Sequence, residues 1–274
     1  MHVHRGGTLK VSATQFIRRM RGGAQGHLML CDDGRAYVVK FQNNPQFLRV
    51  LANEWLATLL ARALGLPVPP CSIVHVDNRL IELTPDLRVD HGLYQSPCKP
   101  GLQFGSQLIG GLMPGKTLDY LPDKQLSEIS NMEDFAGILA FDKWTCNSDG
   151  RQAVFHRDRI VKRYKASFID QGYCFSEENW RFVDAPLRGV YARNLVYRNV
   201  TGWQSFEPWL TRIEEIESER ILNIMATIPF EWFERDEIAL AILAERLMER
   251  RFGVRELITQ FRKSSREPFP NWRA

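Results

Sequence analysis

Residues Arg49 to Leu64, RVLANEWLATLLARAL, set apolar side chains at helical spacing around a single carboxylate, Glu54. Gly65 follows as a C-cap, and the Leu-Pro-Val-Pro-Pro segment stops the helix. A carboxylate among Leu51, Trp55, Leu59 and Leu60 lies near a core face, where it wants a cationic partner. The rest of the chain has to fold so that one is delivered.

The nearest candidate is Lys40, which closes the apolar run Ala-Tyr-Val-Val-Lys. Apolar patches at Leu28–Leu30 and Ala36–Val39 flank Asp32-Asp33-Gly34, a hairpin turn signal. Residues 27–31 and 35–41 are therefore predicted to form an antiparallel pair ending at Lys40. Further strands are predicted at 71–76 and 79–83. Residues 90–123, rich in Gly and Pro, read as an irregular connection. Beyond it, helices are predicted to begin at Gln125–Ile129 and Met132–Lys143, with a strand pair at 153–156 and 166–169 around a basic turn. The remainder after about 177 reads as mostly helical, chiefly over 207–226 and 235–263. Strands with one helix followed by a helical half make an α+β architecture.

Composition excludes several classes. With 274 residues, 44% hydrophobic and 25% charged, the chain can bury a sizeable core. A net charge of +4 permits phosphate-bearing partners without arguing for nucleic acid. Cys31, Cys71, Cys98, Cys146 and Cys174 are odd in number and widely spaced, so neither a disulfide framework nor a zinc knuckle is indicated. The amino terminus has no apolar signal core and no long apolar run occurs, which points to a reducing cytoplasm and no membrane. His2 and His4 read as a frayed end rather than a metal grip. Trp203, Phe206, Trp209, Phe230 and Trp232 read as core. Arg246, Arg250 and Arg251, beside Glu245 and Glu249, read as a solvated helix face.

A fixed ammonium at Lys40, held by Glu54, can neutralise nucleotide phosphate oxygens. Asp149, in Asn-Ser-Asp-Gly-Arg, follows the helix ending near Lys143. Asp170, in Ile-Asp-Gln-Gly, ends an apolar strand. A loop, a strand, a turn and a return strand fit between them, so both carboxylates can reach one cleft mouth. One would then orient an acceptor hydroxyl and take its proton, and the other would hold Mg²⁺ against phosphates.

Arg-Gly-Gly-Ala-Gln-Gly-His (21–27), Tyr-Val-Val-Lys (37–40), Ala-Asn-Glu (52–54), Asn-Ser-Asp-Gly-Arg (147–151) and Ile-Asp-Gln-Gly (169–172) together resemble the HipA-like kinases, distant relatives of phosphatidylinositol and protein kinases. The resemblance spans roughly residues 15–260. It implies a two-lobed protein-kinase-like fold, with a small β-rich N-lobe carrying one helix over 1–103. A connection over 104–123 would supply the hinge against adenine, and a larger, mainly helical C-lobe would occupy 124–274. It implies ATP and Mg²⁺, with transfer to a Ser or Thr of a protein acceptor. Gly22, Gly23, Ala24, Gln25 and Gly26 would cover the phosphates, with Lys40 and Glu54 completing the nucleotide site. Asp149 would be the catalytic base, with Asn147 and Arg151 in its motif, and Asp170 would bind metal. Relatives place a second metal-binding Asn where this chain has Val154; Gln152 or Asn147 would have to supply the amide. The additional amino-terminal domain of full-length HipA toxins is expected to be lacking. Two further readings use the same nucleotide machinery: a kinase of a small molecule or lipid headgroup, and a nucleotide-binding pseudokinase.

Overall fold

The computed structural model describes residues 10–22, 24–112, 117–157 and 162–273. Strands β1 (Lys10–Arg19), β2 (His27–Cys31) and β3 (Ala36–Lys40) run antiparallel in order. The β2–β3 turn follows from its residues: Gly34 adopts φ +75°, and Asp33 Oδ1 accepts the Arg35 amide at 3.0 Å. β3 pairs with β7 (Gly101–Gln107), β7 with β4 (Cys71–Val76), and β4 lies parallel to β1, so the sheet closes into a barrel. Closure leaves these strands no free edge. Met29, Tyr37, Val39, Phe41, Val74 and Val76 form a small core of their own inside it.

The strand predicted at 79–83 is instead a helix, α2 (Asn78–Glu82). Asp77 caps it by accepting the Arg79 amide at 2.8 Å, and the turn rolls Ile81 into the barrel core. The Gly/Pro-rich stretch is also more ordered than predicted. It contains part of the hairpin β5 (Arg88–Asp90) and β6 (Gln95–Pro97), then the central strand β7, then β8 (Thr117–Leu118). Residues 104–107 thus belong to a barrel strand rather than to a connection, and 113–116 lie outside the described residues.

Helix α1 (Val50–Ala63) ends at Gly65, φ +80°, where Leu66 donates back to Ala61 O at 3.0 Å. Val50 through Thr58 are all buried. A helix apolar on every side must be covered on every side. Barrel residues Ile73 and Phe104 lie on it from one direction, and residues of the carboxy-terminal half from the other, in one continuous core. This departs from a simple two-lobed layout with one N-lobe helix: the amino-terminal half holds α1 and α2, and α1 shares the larger core.

That core is centred on α4 (Asp134–Thr145), buried from Phe135 to Thr145. The short α3 (Asp123–Leu126) precedes it. β9 (Gln152–Arg157) and β10 (Tyr164–Ile169) pair from Gln152↔Ile169 to Arg157↔Tyr164, and β8 adds to β9. Residues 177–208 are mainly irregular with short 3₁₀ turns, in place of the expected helix. Helices α5 (Trp209–Glu214), α6 (Ser218–Met225), α7 (Glu237–Arg250) and α8 (Val254–Arg262) complete the fold. Phe206, Trp209 and Trp232 are buried as predicted, whereas Phe230 is exposed. No helix among the described residues is long and apolar enough to cross a membrane. All five cysteines are free and buried.

Candidate active site

Lys40 ends β3 opposite Phe104 of β7, and its ammonium enters the space between barrel and α1. Nζ donates to Glu54 Oε1 and, at 2.7 Å, to Asp170 Oδ1. Burial alone would push the Lys40 ammonium towards neutrality. The Asp170 and Glu54 carboxylates outweigh that and hold it charged, well above the ordinary lysine range. Glu54 also accepts the backbone amides of Gln171 at 3.1 Å and Gly172 at 2.9 Å. Gly172 permits this approach: a Cβ there would lie 2.8 Å from Val50 Cγ2.

Asp170 adopts φ +62° just past β10, and its second oxygen accepts the Gln152 amide at 3.0 Å. Burial pushes this carboxyl up, but the Lys40 ammonium outweighs it and holds Asp170 below the usual carboxylate range.

The Asp149 loop begins where α4 ends in left-handed Cys146, φ +50°. Asn147 Nδ2 donates to Asp142 Oδ1 at 3.0 Å, and its Oδ1 accepts the Asp149 amide at 3.1 Å. Both ends of that side chain are committed, so Gln152 is the amide that reaches Asp170. Val154 sits within β9 opposite Ser167. Arg151 turns inward: Nε donates to Asp142 Oδ2 at 2.8 Å, Nη2 to Asp142 Oδ1, and Nη1 to Ile169 O at 2.9 Å. The Asp149 side chain is left at the surface, where it accepts the Gly150 amide at 2.7 Å.

Two backbone bonds stitch this loop to the one after Asp170: Ser148 N to Tyr173 O at 3.0 Å, and Ser176 N to Cys146 O at 3.2 Å. The β9–β10 hairpin thus returns Asp170 beside the loop that carries Asp149.

The Gly-rich segment hangs over the same barrel end as Lys40, because His27, next after Gly26, pairs with Val39. Gly22 adopts φ +116°, and a Cβ on Gly26 would meet Val38 Cγ1 at 2.7 Å. Ala24 O accepts from Asn44 Nδ2 at 2.8 Å. The Gln25 side chain is bonded to the backbone of Asp90. Gly23, His2 and His4 lie outside the described residues.

Several site residues are not evident from the sequence. Asn53 Nδ2 donates to Gly172 O, Cys174 O and Glu177 O at 2.9–3.1 Å, and its Oδ1 accepts Trp180 Nε1 at 2.8 Å. Asp142 forms a fully buried pair with Arg151. Each is a polar residue inside an apolar helix, the signal that singles out Glu54. Arg246 and Arg250 do not face solvent only: Arg246 donates to Trp180 O at 2.8 Å, and Arg250 pairs with Asp184 while bonding Trp144 O.

The fold is similar to the proinflammatory kinase CtkA of Helicobacter pylori, with TM-score 0.61, 15% identity, and coverage of 94% of this chain and 100% of that one. It is also similar to the Golgi casein kinase, at TM-score 0.54, 13% identity, and 93% and 74% coverage. A structure of that kinase with Mn/ADP bound matches at TM-score 0.52, 12% identity, and 93% and 73% coverage. No curated protein sequence matches the chain. The model of the HipA-like kinases matches residues 13–250, and the chain belongs to that family of phosphotransferases.

Proposed function

We propose that the protein transfers the γ-phosphoryl group of ATP to a Ser or Thr hydroxyl of a protein acceptor. The observation that carries this reading is the convergence of Lys40, Glu54 and Asp170 at one barrel end, beside the loops bearing Gly22–Gly26 and Asp149. Lys40 would contact ATP phosphates, with Glu54 fixing its position from α1. The backbone of the Gly-rich loop would cover the phosphates. Asp149 would take the proton of the acceptor hydroxyl. The new bond joins that oxygen to the γ-phosphorus, and the bridging bond breaks with its electron pair leaving on ADP. Asn147 and Arg151 would position this loop rather than touch substrate, since both point into the protein.

Asp170, together with the Gln152 amide that reaches it, would hold Mg²⁺. No group of three or more His, Cys, Asp or Glu side chains is placed to hold a metal ion among the described residues. That donor set fits an ion bound through one or two carboxylates together with substrate phosphates. When bound, Mg²⁺ would supply charge neutralisation at the phosphates.

A second reading, a nucleotide-binding pseudokinase, is favoured by Val154 in place of an amide and by Lys40 and Gln152 occupying both Asp170 oxygens. Calorimetry with ATP, with and without Mg²⁺, tests the nucleotide site. Labelled ATP with peptide, inositide and sugar acceptors tests transfer. Mg²⁺-dependent binding with peptide labelling supports the kinase; binding without turnover on any acceptor supports the pseudokinase. Absence of ATP binding overturns both.

A further inference from the structure

Gln25 is the one long side chain in the Gly-rich loop Gly22–Gly26. Its carboxamide turns to the backbone of Asp90. Nε2 donates to Asp90 O at 2.6 Å, and Oε1 accepts Asp90 N at 2.8 Å. These are the two bonds that a paired residue on a neighbouring antiparallel strand would exchange with Asp90. A single side chain thus adds itself to the edge of β5. Arg19 Nη2 donates to the same Oε1 at 2.5 Å and orients the amide. The backbone supports this: Gln25 is left-handed, φ +46°, and its amide donates to Gly22 O at 3.2 Å.

The β5–β6 hairpin that receives Gln25 is itself tied to the segment after Lys40. Asn43 Nδ2 donates to Pro97 O at 2.9 Å, and its Oδ1 accepts Lys99 N at 3.0 Å. Asn44, the next residue, bonds Ala24 O. A closed circuit of hydrogen bonds therefore runs from the end of β3 through the hairpin to the Gly-rich loop and back. A Gly-rich loop has high conformational entropy, and ordering a phosphate-covering loop only on binding lowers affinity.

We propose that Gln25 is a positioning residue: it docks the Gly-rich loop on the Asp90 backbone, and so sets the loop over Lys40 without touching nucleotide. This rests on the kinase reading of the site, in which that loop covers the ATP phosphates.

The test compares wild type with Gln25→Met, which keeps side-chain length but has no amide, and Gln25→Glu, which keeps the acceptor for Asp90 N but places an oxygen against Asp90 O. Hydrogen exchange of the nucleotide-free proteins is followed by mass spectrometry over 20–27 and 86–97, and ATP affinity by calorimetry. Both variants should exchange faster in both segments together. Gln25→Met should bind ATP about tenfold more weakly, the loss of roughly one to two hydrogen bonds' worth of preorganisation, and where transfer is measurable the loss should appear in KM for ATP rather than in kcat. Weakened ATP binding with exchange over 86–97 unchanged would mean that Gln25 touches nucleotide directly, and would overturn the proposal. So would wild-type exchange in both segments with wild-type affinity. If wild type binds no ATP, the kinase reading fails, while the exchange data still decide whether Gln25 fastens the loop to β5.

Discussion

The Lys40 ammonium donates to the Asp170 carboxylate at 2.7 Å across 130 positions of sequence, while holding Glu54 only 14 positions away. One cation thus joins the barrel, α1 and the loop after β10. Removing it leaves two buried carboxylates side by side.

Lys40→Met should therefore destabilise the fold at neutral pH by about 3–5 kcal/mol, the usual result of stripping one partner from a buried pair. The pH dependence has a definite sign. In wild type, Asp170 is held below its unfolded range, so its contribution is present above that range and is lost as pH falls through the depressed folded value. In the variant, burial without Lys40 raises the carboxylates, and the charged forms penalise the fold. The difference between the two proteins should be larger at pH 7 than near pH 4 in urea denaturation, because the variant's carboxylates protonate first. An equal difference at both pH values would count against this account.

Asp149→Asn should lower kcat by about 10²–10⁴-fold, the range of general-base contributions. ATP affinity should stay close to wild type, because the side chain is exposed and, among the described residues, bonds only to the adjacent Gly150 amide. Rapid-quench measurement of transfer beside calorimetry of ATP binding separates the two effects.

Lys143 is buried beneath the segment that follows the Asp170 loop, donating to Pro186 O at 2.9 Å and Arg188 O at 2.7 Å. Burial pushes its ammonium down to about 8. The folded protein therefore holds fewer protons than the unfolded chain between about pH 8 and the ordinary lysine range near 10.5. The cost of burying this charge is fully present below pH 8 and is relieved as pH rises. Relative to Lys143→Met, wild type should gain roughly 3 kcal/mol of stability between pH 7 and 10.5, because each tenfold change in proton affinity is worth about 1.4 kcal/mol. Parallel stability profiles would refute this.

Gly137→Ala separates packing from helix propensity. Alanine in the middle of a helix normally stabilises by about 1 kcal/mol over glycine. Here a Cβ would lie 2.3 Å from the Trp209 ring, so α4 and α5 would have to part. A loss of about 1–3 kcal/mol is expected by thermal or urea melting. A gain would show that Trp209 moves freely.

Much of the site is legible in the sequence because its logic is local. Glu54 announces itself as a carboxylate in an apolar helix, and Lys40 as the end of a buried strand after an Asp-Gly turn. The same signal is present at Asn53 and Asp142, but no residue pattern singles out their partners. Asn53 bonds carbonyls from Gly172 to Glu177, and Asp142 bonds Arg151 across the end of α4. The helix α2 looks like a strand in sequence because Leu80 and Ile81 are apolar and short runs are ambiguous. The Asp77 cap and the barrel core beneath Ile81 decide otherwise. Arg250 looks solvent-facing because Glu249 lies nearby, but the partner it uses is Asp184, 66 positions away.

By itself the sequence determined the family, the β2–β3 hairpin, the extent of α1 and the need of Glu54 for a cation. Apolar periodicity, turn chemistry and the cost of an unpaired buried charge act over a few residues, or demand a partner without naming its place. Only the tertiary structure decided which side chains face the candidate site and which face inward. Gln25, Asn147 and Arg151 carry the right chemistry for the cleft, yet they direct it to Asp90, Asp142 and Ile169. Their direction is set by barrel closure and by the packing of α4, which bring together donors and acceptors that no spacing in the chain relates.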